Sequence, residues 1–278
     1  MAGFFVQFSG RVNSKSDDFH TKETAMNDMI IAAAQLRCAA GDIENNIQRH
    51  LQTAEQAALH NVDFLLFPEL SLTGYEPQLA DQLAITLQDP RLAGLRESAI
   101  KHQMTLVCGA PLRSSDADAL YIGAIVFAPD GTLYSYTKQH LHGTEAAIFT
   151  AGQGGPLLQV QQHQIGLAIC ADILSDSHPQ HAADCGATLY AAGVLISKKS
   201  YPLESAMLQH YAEKHRMVVM LANHCAPTGG WEPAGQSAIW DEAGRLIVVA
   251  STSDDALAIA RKSDAGWLGE VQRLTLTA

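Results

Sequence analysis

A chain of 278 residues with 47% hydrophobic content can bury a large core, and α/β chains of this size often form one domain. Lys and Arg number 18 against 29 Asp and Glu, so the formal charge of −11 repels a phosphate backbone and argues against a nucleic-acid partner. No stretch of 18 or more apolar residues is present to span a membrane.

The opening MAGFFVQFSG has a short apolar run without a basic flank or a small-residue cleavage site, so it does not read as a secretory signal. Residues 1–28 read as a flexible N-terminal extension, with a single domain over 29–278. MIIAAAQLRC (29–38) predicts a strand. Gly41 and Asp42 then open a helix in which Ile43, Ile47, Leu51, Ala54 and Ala58 recur at helical spacing. VDFLLFPE (62–69) predicts a strand buried on both faces, and Asp89 with Pro90 caps a helix carrying Leu92, Leu95 and Ala99. TLVCGAPL, YIGAIVFAP and TLYSYTK predict strands, the last two joined by a turn at Pro129 to Gly131. Beyond Gly152 to Pro156, QIGLAICAD predicts a strand, 178–186 a helix and ATLYAAGVLIS a strand. Pro202 starts another helix, MVVMLANH is a buried strand, and SAIWDEAGRLIVVAS is a hairpin turning at Glu242 to Gly244. Helices and strands interleave without a linker or repeat, which predicts one α/β domain.

Three of these apolar runs stop at ionisable residues of different kinds: LLFPE at Glu69, LYSYTK at Lys138 and IGLAIC at Cys170. A thiol attacks as thiolate, a cation stabilises that form, and a carboxylate can take the proton and return it. Attack on an amide or nitrile carbon builds negative charge that needs donors, and Lys138 with the backbone N–H of Ala171 is a natural pair. Glu69 can protonate the departing nitrogen if burial raises its pKa. Taken singly, each residue has a plainer reading: a cysteine in an apolar run is usually a small buried hydrophobe, a Glu after Pro a solvated turn residue, and a lone strand Lys an edge charge.

The wording around all three resembles the nitrilase, or carbon–nitrogen hydrolase, superfamily. FPELSLTGY, YTKQHL and GLAICAD look like its three catalytic blocks in the right order, and the likeness runs from MIIAAAQ through GDIENN to SAIWDEAGRLI. The resemblance implies a four-layer α-β-β-α sandwich that commonly dimerises through a helical face. It makes Cys170 the nucleophile, Glu69 the general base and acid, and Lys138 the stabiliser of the tetrahedral intermediate. HGTEAAIFTAG resembles the segment that carries a second glutamate, here Glu145, whose plainer reading is a loop carboxylate. CADILSDSHP keeps Cys-x-Asp as Cys170 and Asp172 but lacks the Arg-Phe-Pro segment of many members, which leaves the pocket near Ile173 to Asp176 open.

Further pocket candidates follow from chain order. Tyr75 lies close behind Glu69, and Ser197, Lys198 and Lys199 follow a strand expected beside the nucleophile strand, where a lysine would meet an acidic substrate. Trp231 and Glu232 sit in the Gly-rich PTGGWEPAG loop, which could cover the site. His140 and His142 form an HxH pair, with His224 or His178 as a third ligand, but no carboxylate at metal spacing accompanies them. GQGGP lacks the strand-to-helix context of a phosphate loop. Neither a metal nor a cofactor is expected. Five cysteines, Cys38, Cys108, Cys170, Cys185 and Cys225, form no CxxC pair, and fit a reduced cytoplasmic protein.

The expected activity is a cofactor-free thiol amidohydrolase that cleaves a non-peptide C–N bond of a small linear amide or carbamoyl compound through a thioester. A nitrilase, an amide-forming acyltransferase using the same thioester, or a non-catalytic binding module keeping the fold are the alternatives.

Overall fold

The computed structural model describes residues 29–114 and 119–277, so the extension expected over 1–28 lies outside the described residues. In chain order the strands are β1 (Ile30–Gln35), β2 (Phe64–Leu66), β3 (Thr105–Arg113), β4 (Leu120–Phe127), β5 (Leu133–Thr137), β6 (Leu158–Val160) and β7 (His163–Ile169). They continue with β8 (Leu189–Val194), β9 (Val218–Asn223), β10 (Ala238–Trp240), β11 (Leu246–Val249), β12 (Ala256–Ser263) and β13 (Gly266–Arg273). The helices are α1 (Ile43–Leu59), α2 (Ala80–Leu83), α3 (Ala93–His102), α4 (Ser177–Asp184) and α5 (Tyr201–His215).

These strands build a seven-stranded sheet, ordered β13-β12-β1-β2-β3-β4-β5, and a six-stranded sheet, ordered β11-β10-β9-β8-β7-β6. Alternation of side chains along β1 shows how the layers form. Ile31 and Ala33 point into a core shared with Leu167, Ala191 and Met220 of the second sheet. Ile30, Ala32 and Ala34 point the other way, onto Ile43, Ile47 and Ala54 of α1 and Leu95 and Ala99 of α3. The outer face of the second sheet buries Tyr190, Ala192 and Val219 against Leu208, Tyr211 and Ala212 of α5. The result is the four-layer α-β-β-α sandwich, each sheet apolar on both faces because each is covered on both.

Local signals act as anticipated. Asp42 accepts from Asn45 N–H at 3.1 Å to cap α1, and Asp89 accepts from Arg91 N–H at 2.9 Å ahead of α3. The β4–β5 turn closes with Ala128 N–H donating to Thr132 O at 2.9 Å. The sequence reading did not anticipate the β12–β13 hairpin or the short β6. β12 inserts antiparallel beside β1, pairing Ile30 with Arg261 through Gln35 with Ala256. Its ALAIA run lacks the β-branched alternation that marks a strand in isolation, and tertiary pairing supplies what local propensity does not.

Two parallel triplets position the site. β1, β2 and β3 run in one direction in the first sheet, as do β7, β8 and β9 in the second. A parallel bridge from Leu36 to His224, just past β1 and β9, joins the two sheets at their C-terminal ends.

Candidate active site

β2 ends at a tight turn that carries Glu69. Phe67 N–H donates to Val107 O at 2.9 Å, and Leu70 adopts a φ of +51°. Two glycines from different sheets allow this turn to fit. A Cβ on Gly109 of β3 would collide with Leu70 N and meet Pro68 O at 2.6 Å, and one on Gly193 of β8 would stand 2.7 Å from Phe67 O. His224 Nε2 donates to the Glu69 carbonyl at 2.7 Å, and burial lowers that imidazole to a pKa of about 4, so it is neutral.

Lys138 directly follows β5. Its N–H donates to Ile122 O at 2.9 Å and its carbonyl accepts from Gly152 N–H at 2.7 Å, so its backbone belongs to the sheet while its side chain is wholly buried. The ammonium donates to Glu69 Oε1 at 2.7 Å and to both Glu145 oxygens at 2.9 Å. Glu145 lies in the 3-10 turn Gly143–Ala147. It also accepts from Tyr75 OH at 2.7 Å and from His142 N–H at 2.6 Å. Among the described residues, Glu69 Oε2 is buried without a hydrogen-bond partner.

Cys170 stands where β7 passes into the 3-10 turn Cys170–Leu174, with a φ of +43°. An L-residue held in this region is strained by about 1–3 kcal/mol and needs surrounding contacts to hold it. Asp172 supplies them: Oδ2 accepts from Ile169 N–H at 3.0 Å and from Tyr136 OH at 2.7 Å. The other oxygen accepts from Gln139 N–H at 3.1 Å and His140 N–H at 2.8 Å. The Cys170 thiol lies 3.7 Å from Leu195 O.

Burial raises the Glu69 carboxyl to about 7; the ammonium of Lys138 opposes this rise and the charge of Glu145 adds to it. Burial also drives the Cys170 thiol well above its ordinary value, reinforced by Glu69, so at rest the sulfur is protonated despite the nearby ammonium. Burial disfavours the Lys138 ammonium, yet Glu69, Cys170 and Glu145 outweigh it and hold the group charged. A protonated thiol thus shares a dry site with a carboxyl poised near neutrality and a fixed cation.

A cavity of about 140 Å³ opens onto this cluster. Glu69, Glu145 and Cys170 stand on its wall beside Tyr75, Leu174, Leu195 and Trp231, while His142, Ser197, Ser200 and Glu204 complete it. The fold brings Glu69, Lys138, Cys170 and Glu145 together, and Tyr75, Ser197 and Trp231 line the cavity. Lys138 lies behind its carboxylates instead of on the wall. Ala171 is buried and contributes no side chain to the cavity, because the turn after Cys170 carries it inward.

The lysine expected to meet an acidic substrate does not line the cavity, for Lys198 pairs with Glu232 at 3.1 Å on the exposed surface. The HxH pair diverges: His140 Nδ1 lies 3.1 Å from Asp172, and His142 joins the rim. Sequence reasoning missed Glu204, which in the first turn of α5 looks like an ordinary helix-start acid. It also missed Leu195 and the support given by His224, since nothing local distinguishes either position.

The carbon-nitrogen hydrolase family model matches residues 30–263, and the chain belongs to that family. That family is the carbon–nitrogen hydrolase family of the nitrilase superfamily. The amidase from Nesterenkonia sp. AN1, solved in complex with acrylamide, has 25% identity and a TM-score of 0.76, with 85% of this chain and 91% of that one covered. Saccharomyces cerevisiae Nit3 shares the fold at 20% identity and a TM-score of 0.79, covering 86% and 92%. The chain is 26% identical over 242 residues to the glutamine-dependent NAD(+) synthetase of Thermotoga maritima, which covers 80% of this chain and 40% of that enzyme. It is 24% identical to an aliphatic nitrilase of Sinorhizobium fredii, over 69% of this chain and 67% of that one. The chain spans less than half the length of the synthetases it matches.

Proposed function

We propose that this protein is a thiol amidohydrolase that cleaves the C–N bond of a small linear amide or carbamoyl compound through a thioester on Cys170. The observation that carries the reading is a buried ammonium, Lys138, bonded to two carboxylates beside a thiol that faces a small cavity. At about 30 Å³ per water, the cavity suits a short substrate.

In this reading the unpartnered Glu69 Oε2 takes the thiol proton as the sulfur attacks the carbonyl carbon, and the C=O pair moves onto oxygen. The Lys138 charge and the Ala171 N–H stabilise that oxyanion. Collapse expels the nitrogen, which takes the proton from Glu69 and leaves as ammonia or an amine. Water then enters, Glu69 removes one of its protons, and the resulting hydroxide attacks the thioester. The departing sulfur recovers the proton and a carboxylic acid leaves. Glu145 and Tyr75 orient the ammonium.

An ammonia-release screen over small amides, ω-amides, carbamoyl amines and nitriles tests this reading. Mass spectrometry should find an acyl adduct on Cys170 with the amide that turns over. No adduct, or undiminished turnover in Cys170→Ala, defeats it. The match to an aliphatic nitrilase favours nitriles as a second substrate class; the sulfur would add to the nitrile carbon to give a thioimidate, and addition of water with loss of ammonia would leave the same thioester.

A further inference from the structure

The cavity carries a further charged group that the chemistry above does not use. Glu204 lines it together with Trp231 and His142, and Leu174 and Leu195 supply apolar wall. The carboxylate is half-buried, and no ion pair involves it among the described residues. Burial pushes its carboxyl above the ordinary value, while the Ser200 hydroxyl and the charge of His142 pull it back.

The charge balance of the site is one-sided. Three carboxylates, Glu69, Glu145 and Glu204, line the cavity, against the single ammonium of Lys138, which Glu69 and Glu145 already engage. With all three carboxylates ionised the remainder is negative even when His142 also carries a charge. No lysine or arginine lines the wall, since Lys198 is turned to Glu232. An anionic substrate end would therefore meet repulsion in a half-dry space, whereas a cationic end would relieve the desolvated carboxylate. Trp231 lines the same cavity, where an aromatic ring can take part in cation–π contact, and the net charge of −11 attracts cations at longer range.

We propose that Glu204 is a specificity residue that receives the ammonium of a substrate whose scissile amide or carbamoyl group lies at Cys170, making short ω-amino amides and carbamoyl amines the preferred class. This assignment rests on Cys170 being the acylation site.

Binding to Cys170→Ala tests it without turnover. Isothermal calorimetry would compare three amides of similar length that differ in their far end: 4-aminobutanamide, pentanamide and succinamate. The expected affinity falls in that order, with the ammonium compound ahead of pentanamide by about tenfold. Adding Glu204→Gln should collapse this preference to within about twofold, with circular dichroism confirming the fold. Equal affinities for all three, no measurable binding of 4-aminobutanamide, or a preference that survives Glu204→Gln overturns the assignment. A wild-type enzyme that hydrolyses none of the three counts against the amidohydrolase reading, and the order of affinities still decides the role of Glu204.

Discussion

Asp172 accepts the His140 N–H at 2.8 Å, and this one bond ties the turn carrying Cys170 in one sheet to the segment just past Lys138 in the other. The same carboxylate accepts from Ile169 N–H, Tyr136 OH and Gln139 N–H, and His140 Nδ1 lies 3.1 Å from it, so five polar contacts converge on a wholly buried group. Its acceptor capacity fixes both the positive φ at Cys170 and its distance from the ammonium. Asp172→Asn turns an amide N–H₂ toward donors that need an acceptor. The variant should lose about 3 kcal/mol of stability in urea denaturation, together with most of its kcat/KM. Unchanged stability would show that Asp172 does not bear the turn.

The glycine pair around Glu69 gives a graded expectation. Gly109→Ala drives a Cβ into the backbone at Leu70 N and Pro68 O, with no flexible side chain able to yield. At Gly193→Ala the nearest atom is Phe67 O at 2.7 Å, with Glu69 N next at 3.5 Å. Both variants should lower the melting temperature and activity. Gly109→Ala should do so more, because the backbone turn itself must shift to relieve the overlap. The reverse order in paired thermal melts and ammonia-release assays would contradict this account.

The glycines also show what the sequence could convey. The ends of the three strands were legible because LLFPE, LYSYTK and IGLAIC each switch abruptly from apolar to ionisable residues, and the wording around them resembles one superfamily. The convergence of those ends was not legible, since it depends on the Leu36–His224 bridge and on Gly109 and Gly193 closing from opposite sheets. β12 escaped notice because ALAIA acquires strand character only by pairing with β1. Glu204 escaped because an acid in the first turn of a helix has an ordinary explanation, and only the cavity supplies another.

The carboxyl of Glu69 sets a pH dependence. As the general base of the proposed reaction it must be ionised, and burial, with the charge of Glu145 assisting, pushes it up to about 7. The kcat/KM for a turned-over amide should therefore rise with pH through a midpoint near that value. Glu145→Gln removes a negative neighbour, so the Glu69 carboxyl falls and the acid limb moves to lower pH. The same change takes one carboxylate from the Lys138 ammonium, and kcat should drop by roughly 10²-fold. Ammonia-release profiles from about pH 5 to pH 9 check both; an acid limb that stays in place would remove Glu145 from the electrostatics of Glu69.

Lys138→Met leaves two buried carboxylates facing one another without their shared cation. The ammonium lowers the Glu69 carboxyl, so its removal drives that group further above the value of about 7. A carboxyl whose folded pKa exceeds its unfolded one contributes stability that is complete below the unfolded value, near 4.5, and is lost as pH rises through the folded value. The deficit of the variant relative to wild type should therefore grow between pH 5 and pH 8 by about 1 kcal/mol, because raising the folded pKa beyond about 7 extends the loss by at most one pH unit in that range, worth about 1.4 kcal/mol. Urea denaturation at the two pH values measures it. A deficit that is constant, or larger at the acidic end, would mean that Lys138 does not neutralise Glu69 in the folded protein.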